Sequence, residues 1–303
     1  MNTSGHLDRK QASEKSDDRL SIILIGLTHP YRGGISLYTT MLYQELSTRH
    51  RVHLINFKRL YPSFVFPGRT QYDESKKTFP VASERIIDTL WPFSWLKTAR
   101  KIVALAPDLV IMQWWQPYLS PVYTAIAYYL KKKIPVAFLC HNVVPHEPTR
   151  FDEMLSNFAF RATDALIVHS RVDALKLTTK YPRKLIQQVD HPIYDAFPTG
   201  AAARSEILAS LGIAPEKKII LFFGYVRKYK GLRLLIEALS HLDPKTSPIL
   251  LVVGEFYEPQ AEYTALITKL DLSDRVVIVP HYVPNEDVYR YFKIAAAVVG
   301  KAS

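Results

Sequence analysis

The chain has 303 residues, 48% of them hydrophobic and 22% charged, which excludes wholesale disorder and leaves material for two modest domains. Lys and Arg number 39 against 28 Asp and Glu, so the formal charge of +11 favours anionic partners: phosphorylated substrates, acidic lipid surfaces or nucleic acid. The single cysteine, Cys140, lies in an apolar run, which excludes an intramolecular disulfide and fits a reducing, cytoplasmic setting.

Residues 1–18 are polar and charged and read as a disordered tail, and the apolar run 20–27 that follows is too short for a secretory signal core with its cleavage site. Short β-branched runs then alternate with helical patterns, the mark of βαβ units around a parallel sheet. Strands are expected at 21–27, 52–57, 108–112, 134–140 and 164–169, with a weaker one at 184–189. Helices are expected between them at 35–47, 93–105, 121–131, 151–161 and 171–179. The stretch 118–130 contains Ser120 and Pro121 and closes on Lys131-Lys132-Lys133, short of the ~20 residues that span a bilayer. The segment 58–82, rich in Pro, Gly, Tyr and Phe, is either a solvated insertion or a place where Tyr61, Phe64 and Phe66 meet substrate.

After His191-Pro192 a polar stretch to Arg204 marks a join, giving a first domain at 19–195 and a second at 196–303. The second has strands at 218–223, 249–253, 276–279 and 295–299, with helices at 232–242, 260–270 and 286–293. The expected fold class is α/β, two doubly wound, Rossmann-like domains, the second incomplete, because its last strand reads as an edge still to be covered.

Three places could carry chemistry. The first strand leads through Pro30-Tyr31-Arg32-Gly33-Gly34-Ile35 into a helix, and a paired glycine at a helix start lets N–H groups approach a phosphate at the positive helix end. Many tight turns also use two glycines, and the missing G-x-G-x-x-G opposes an ordinary NAD-binding domain. Between a strand and a helix, Phe223-Gly224-Tyr225-Val226-Arg227-Lys228-Tyr229-Lys230-Gly231 places cations where a departing diphosphate would need them, with Arg227 and Lys230 the candidates. The plain alternative is a solvated basic turn. The strand ending in Cys140 delivers His141, whose imidazole could hold a sugar hydroxyl or move a proton, or simply be structural. His146 and Glu147 complete no metal-binding pattern with it, so no metal is expected. Trp114-Trp115 could stack on a sugar or lipid, or pack an interface.

Together with Cys140-His141-Asn142 and His281-Tyr282-Val283-Pro284-Asn285-Glu286-Asp287-Val288, these segments resemble family 4 of the retaining glycosyltransferases in order and spacing. The resemblance implies two Rossmann-like domains of the GT-B type facing a cleft, an acceptor on the first, a nucleotide-diphosphate sugar on the second, and no metal cofactor. It implies that Gly33, Gly34, Gly224 and Lys230 meet the donor diphosphate, that His141 contacts the transferred sugar and that Val283 lies beside the nucleotide base. Arg227 matches less closely, because many members place the diphosphate-binding arginine directly after the glycine, where Tyr225 stands. Members usually carry an Asp at the position of Ala297, and they continue past the last strand into a loop and helix bearing two glutamates. On that comparison the donor domain is cut short and the chain is expected to have little or no activity.

The expected reaction is hexose transfer with retention to an acceptor hydroxyl in polysaccharide or glycolipid synthesis, on a saccharide or lipid-linked acceptor. The competing readings are a non-catalytic remnant or partner subunit, and a nucleic-acid-binding protein; the cations are scattered and match no module for the latter. Lys131-Lys132-Lys133 and the aromatic connection suggest peripheral attachment to the inner, acidic face of a membrane.

Overall fold

The computed structural model describes residues 18–62, 68–143, 149–194, 197–244 and 247–300. Seven strands make the first sheet: β1 (Ser21–Ile25), β2 (Arg51–Arg59), β3 (Glu84–Asp88), β4 (Leu109–Trp114), β5 (Val136–Cys140), β6 (Ala165–Val168) and β7 (Leu185–Gln188). All pairs are parallel, in the order β3-β2-β1-β4-β5-β6-β7. Parallel strands need helical crossovers, which cover both faces, so a central strand such as β5 (VAFLC) is buried throughout and reads as a continuous apolar run.

Helix α1 (Gly34–Arg49) covers one face, its Tyr38 packed with Leu24, Leu54 and Ile111. The other face carries α2 (Pro92–Leu105), α3 (Ser120–Leu130) and α4 (Arg150–Ala162), which bury Ile102, Ile126 and Phe160 around Trp114 and Phe138. Helix α3 packs between the other two. Helix α5 (Arg171–Lys180) leads to β7.

The second domain opens with α6 (Arg204–Ser210) and holds β8 (Ile219–Phe223), β9 (Ile249–Val253), β10 (Val276–Val279) and β11 (Ala297–Val298). Its sheet is also parallel, in the order β10-β9-β8-β11, with α7 (Leu232–Ser240) and α8 (Gln260–Lys269) on one core and α6 and α9 (Val288–Ile294) on the other. Ligands of such sheets bind outside the carboxyl ends of strands where the strand order reverses. Those points are β1, between β2 and β4, and β8, between β9 and β11; they are followed by Gly33-Gly34 and by the Gly224–Lys230 turn.

β3 and α6 were not expected. β3 has only Ile86 and Ile87 between charged residues, because an edge strand needs little apolar surface. α6 is one short amphipathic piece just after the polar join, too brief to show a helical period. The last strand is shorter than the expected 295–299, two residues paired as Ala297 with Ile220 and Val298 with Leu221. The expected tail up to residue 17, Phe64, Phe66, His146 and Glu147 lie outside the described residues. No helix among the described residues is long and apolar enough to cross a membrane.

Candidate active site

A cleft of about 300 Å³ opens between the carboxyl edges of the two sheets and is lined from both domains. Gly33, Gly34 and Ser36 come from the first; Gly224, Lys230 and Val283 come from the second. Gly34 and Lys230, far apart in sequence, therefore share one hollow.

The first wall is the start of α1. Gly33 sits at φ 102°, a conformation that disfavours side chains, and ends the turn without any side-chain cap or acidic residue in the helix's first turn. The start of the helix thus borders the cleft with its positive end and without a capping side chain or first-turn carboxylate of its own.

The second wall is the turn after β8. A short 3₁₀ turn at Lys228–Lys230 brings the Lys230 ammonium back beside Gly224, where an added Cβ would stand 3.2 Å from its Nζ. Gly254, at the end of β9, lets that strand close on the same turn, since a Cβ there would lie 2.0 Å from the Gly224 carbonyl oxygen. Burial, and then the charge of Arg227, pull the Lys230 amine below the ordinary lysine value. Among the described residues no carboxylate pairs with it, so an anion entering the cleft meets an uncompensated cation.

Arg32 is the residue that the sequence reading passed over. Its side chain is 4% exposed and its guanidinium donates to the Glu255 carboxylate from the other domain. It also lies over the Tyr282 ring at 4.5 Å and 5.7 Å from the centre of the Tyr225 ring. Glu255 accepts in addition from the backbone N–H of Arg69 at 2.6 Å. Arg227 does not line the cleft: its guanidinium lies over the Tyr257 ring at 4.5 Å. The signal for Arg32 was its place directly before the diglycine, and for Glu255 its place just past the carboxyl end of β9.

The connection after β2 is more than a solvated insertion. Asn285 donates to Asp73 and to the Lys77 carbonyl, both at 3.1 Å, and Glu286 accepts from the N–H groups of Lys76 and Lys77 at 3.0 and 3.2 Å. The segment thereby straps the turn bearing Val283 to the first domain. Tyr61 is packed against Tyr118, ring centres 5.4 Å apart.

His141 is at the mouth of β5 behind α1 and is not part of the cleft lining. Its ring stands edge-on to Tyr38 at 4.5 Å, with Nε2 3.2 Å from Oε1 of Gln113. Burial, followed by the charges of His169 and His191, pushes its pKa down to about 3. The imidazole is therefore neutral near pH 7, which suits holding a hydroxyl and not donating a proton as imidazolium. With an ordinary value of 6.5, the unfolded chain takes up a proton between pH 6.5 and about 3 that the folded chain refuses. Stability falls as pH is lowered through that window, by up to about 1.4 kcal/mol per pH unit for this group. Urea titrations at pH 5 and pH 8 should show a smaller loss for His141→Asn than for the wild type; an unchanged loss would remove this account.

Two parallel, doubly wound domains with facing carboxyl edges and a cleft between them define the GT-B architecture. The description Glycosyltransferase Family 4 matches residues 32–193, and Glycosyl transferases group 1 matches residues 203–303. The chain belongs to Glycosyltransferase Family 4. A D-inositol 3-phosphate glycosyltransferase of Xylanimonas cellulosilytica is 33% identical over 128 residues, 39% of this chain and 30% of that protein. The match thus spans less than a third of the relative's length.

Among solved structures, Anabaena HepE in complex with UDP and glucose superposes with a TM-score of 0.65 at 16% identity, over 92% of this chain and 73% of that one. Sucrose-phosphate synthase from Thermosynechococcus elongatus gives 0.62 at 18% identity, over 92% and 75%. At these identities the likeness shows the fold.

Proposed function

We propose that the protein transfers a hexose from a nucleotide-diphosphate sugar to an acceptor hydroxyl, with retention at the anomeric carbon, in polysaccharide or glycolipid synthesis. The observation that carries this reading is the meeting of Lys230, Arg32 and the uncapped start of α1 in one cleft between the domains. A diphosphate leaving group gains negative charge as the glycosidic bond breaks, and fixed cations and N–H donors stabilise that change without reorganising. Lys230 and the N–H groups at Gly33 and Gly34 would hold the diphosphate, and Val283 would lie against the base. Arg32 would supply the second cation, in place of the arginine that Tyr225 replaces and of Arg227. The reading invokes no metal, since these groups carry the counter-charge. His141, neutral, would orient the sugar or the wall behind it. The complex of HepE with UDP and glucose makes UDP-glucose the first probe.

A panel of UDP-, GDP- and ADP-sugars should contain one that raises the melting temperature by about 5 °C at 100-fold excess over its Kd. No shift with any of them would sink the donor reading. NMR of the product's anomeric proton then decides retention.

A further inference from the structure

We propose that the outer face of the α2–α3–α4 layer is a docking surface for an anionic lipid bilayer. On α2, Phe93 and Leu96 stand on the side turned away from the buried Thr98, Ala99 and Ile102. On α4, Phe151, Met154 and Phe158 repeat at i, i+3 and i+7, opposite the buried Ser156 and Phe160, and the row ends where Ala162 is buried in the last turn. Phe93 is 70% exposed and Phe151 61%, so two of the largest apolar side chains of the domain face outward. Scattered single residues of this kind need no partner, but rows on two helices that flank a third make a patch.

The charges say what covers it. Neither α2 nor α3 contains an acidic residue. The two carboxylates of α4 are already engaged, Asp152 with the Thr149 hydroxyl at 2.7 Å and Glu153 with Lys180 at 2.9 Å. Lys97 and Arg100 interrupt the apolar row of α2, and Arg161 continues that of α4. At the end of α3, Lys131 lies 5.4 Å from the ring of exposed Tyr128, and Lys133 lies 4.3 Å from that of Tyr129. Aromatic rings for the acyl boundary with long cations for the headgroups are the composition of an interfacial surface. A second copy of the same face is opposed by like charge.

This moves the membrane contact expected from the sequence away from the connection after β2, whose Tyr61 is packed inward against Tyr118. Because all strands run parallel, the three helices begin at the carboxyl edge of the sheet, where the cleft opens. Phe93 and Phe151 lie in their first turns, so a bilayer on this face would bring a lipid-borne acceptor to the cleft. Only that last step rests on the transferase reading.

The test is co-sedimentation of the full chain with vesicles of phosphatidylcholine alone, or with one third phosphatidylglycerol, at low and high salt. The chain should partition onto the anionic vesicles and come off in high salt. Partitioning should fall at least about tenfold in Phe93→Ser/Phe151→Ser/Phe158→Ser and in Lys97→Gln/Arg100→Gln, with melting temperature and vesicle-free nucleotide-sugar binding unchanged. Recovery in the supernatant with both vesicle types, equal binding to both, or undiminished binding of the triple serine variant would each overturn the proposal. So would a wild-type dimer in size-exclusion chromatography that the triple variant breaks, which would give the face to a second copy.

Discussion

Replacing Lys230 by methionine is expected to lower the chain's kcat/KM for sugar transfer, itself expected to be small, by about 10²–10³, or roughly 3–4 kcal/mol of transition-state stabilisation. The size follows from the setting. The ammonium sits half-buried beside Gly224 and no described carboxylate offsets it, so its full charge is available to an incoming diphosphate. The same isolation predicts that the substitution leaves the melting temperature unchanged or raises it, because an unpaired charge in a half-buried place costs solvation energy. Activity and stability thus move apart, which a variant that merely unfolds does not do. Arginine at 230 should not restore the rate, since a planar, delocalised fork on a longer stem does not place a compact point charge beside Gly224 as the Lys230 ammonium does. The amine's lowered pKa adds a pH test: donor affinity should weaken on the alkaline side at a pH below the ordinary lysine value of 10.5. A methionine variant within threefold of wild-type kcat/KM would end the assignment.

Arg32 gives the second large effect, through two separable consequences. Its guanidinium and the Glu255 carboxylate are 4% and 12% exposed and belong to different domains, so Arg32→Ala leaves a carboxylate buried without its partner. Breaking a buried pair from one side costs about 3–5 kcal/mol. The double variant Arg32→Ala/Glu255→Ala should recover much of that, giving a coupling energy of about 2 kcal/mol in the cycle. Donor affinity should follow another rule. It should be lost in Arg32→Ala and in the double variant, but be unchanged or strengthened in Glu255→Gln, which frees the guanidinium for a diphosphate while an amide still meets the Arg69 N–H. Donor binding by the double variant as tight as wild type would show that Arg32 is only a clasp between the domains.

How much of this was legible without coordinates depended on distance along the chain. Strands β9 and β10 fall at the residues expected from their apolar runs, because a strand covered on both faces must be apolar at every position. The diglycine and the Gly224–Lys230 turn were legible for a related reason: a strand, a turn with glycine at positive φ and a helix are all local. β3 was not, since at the edge of its sheet Ile86 and Ile87 suffice between charged residues. Nor was the strap from Asp73 to Lys77, whose partners Asn285 and Glu286 lie more than 200 residues away.

Composition, apolar period and turn chemistry by themselves determined an α/β chain of two parallel units, each with a glycine-bearing loop at a strand's carboxyl end, because those constraints act within a few residues. Tertiary structure alone decided which cation faces the cleft. Arg227 and Arg32 look alike as basic residues beside glycine turns, but closure of the domains seats Arg32 on Glu255 and Tyr282, and leaves Arg227 on Tyr257 outside. The direction of a long, flexible side chain is set by the partner and the packing that it meets, and for Arg32 those come from the other domain, whereas Arg227 finds Tyr257 within its own.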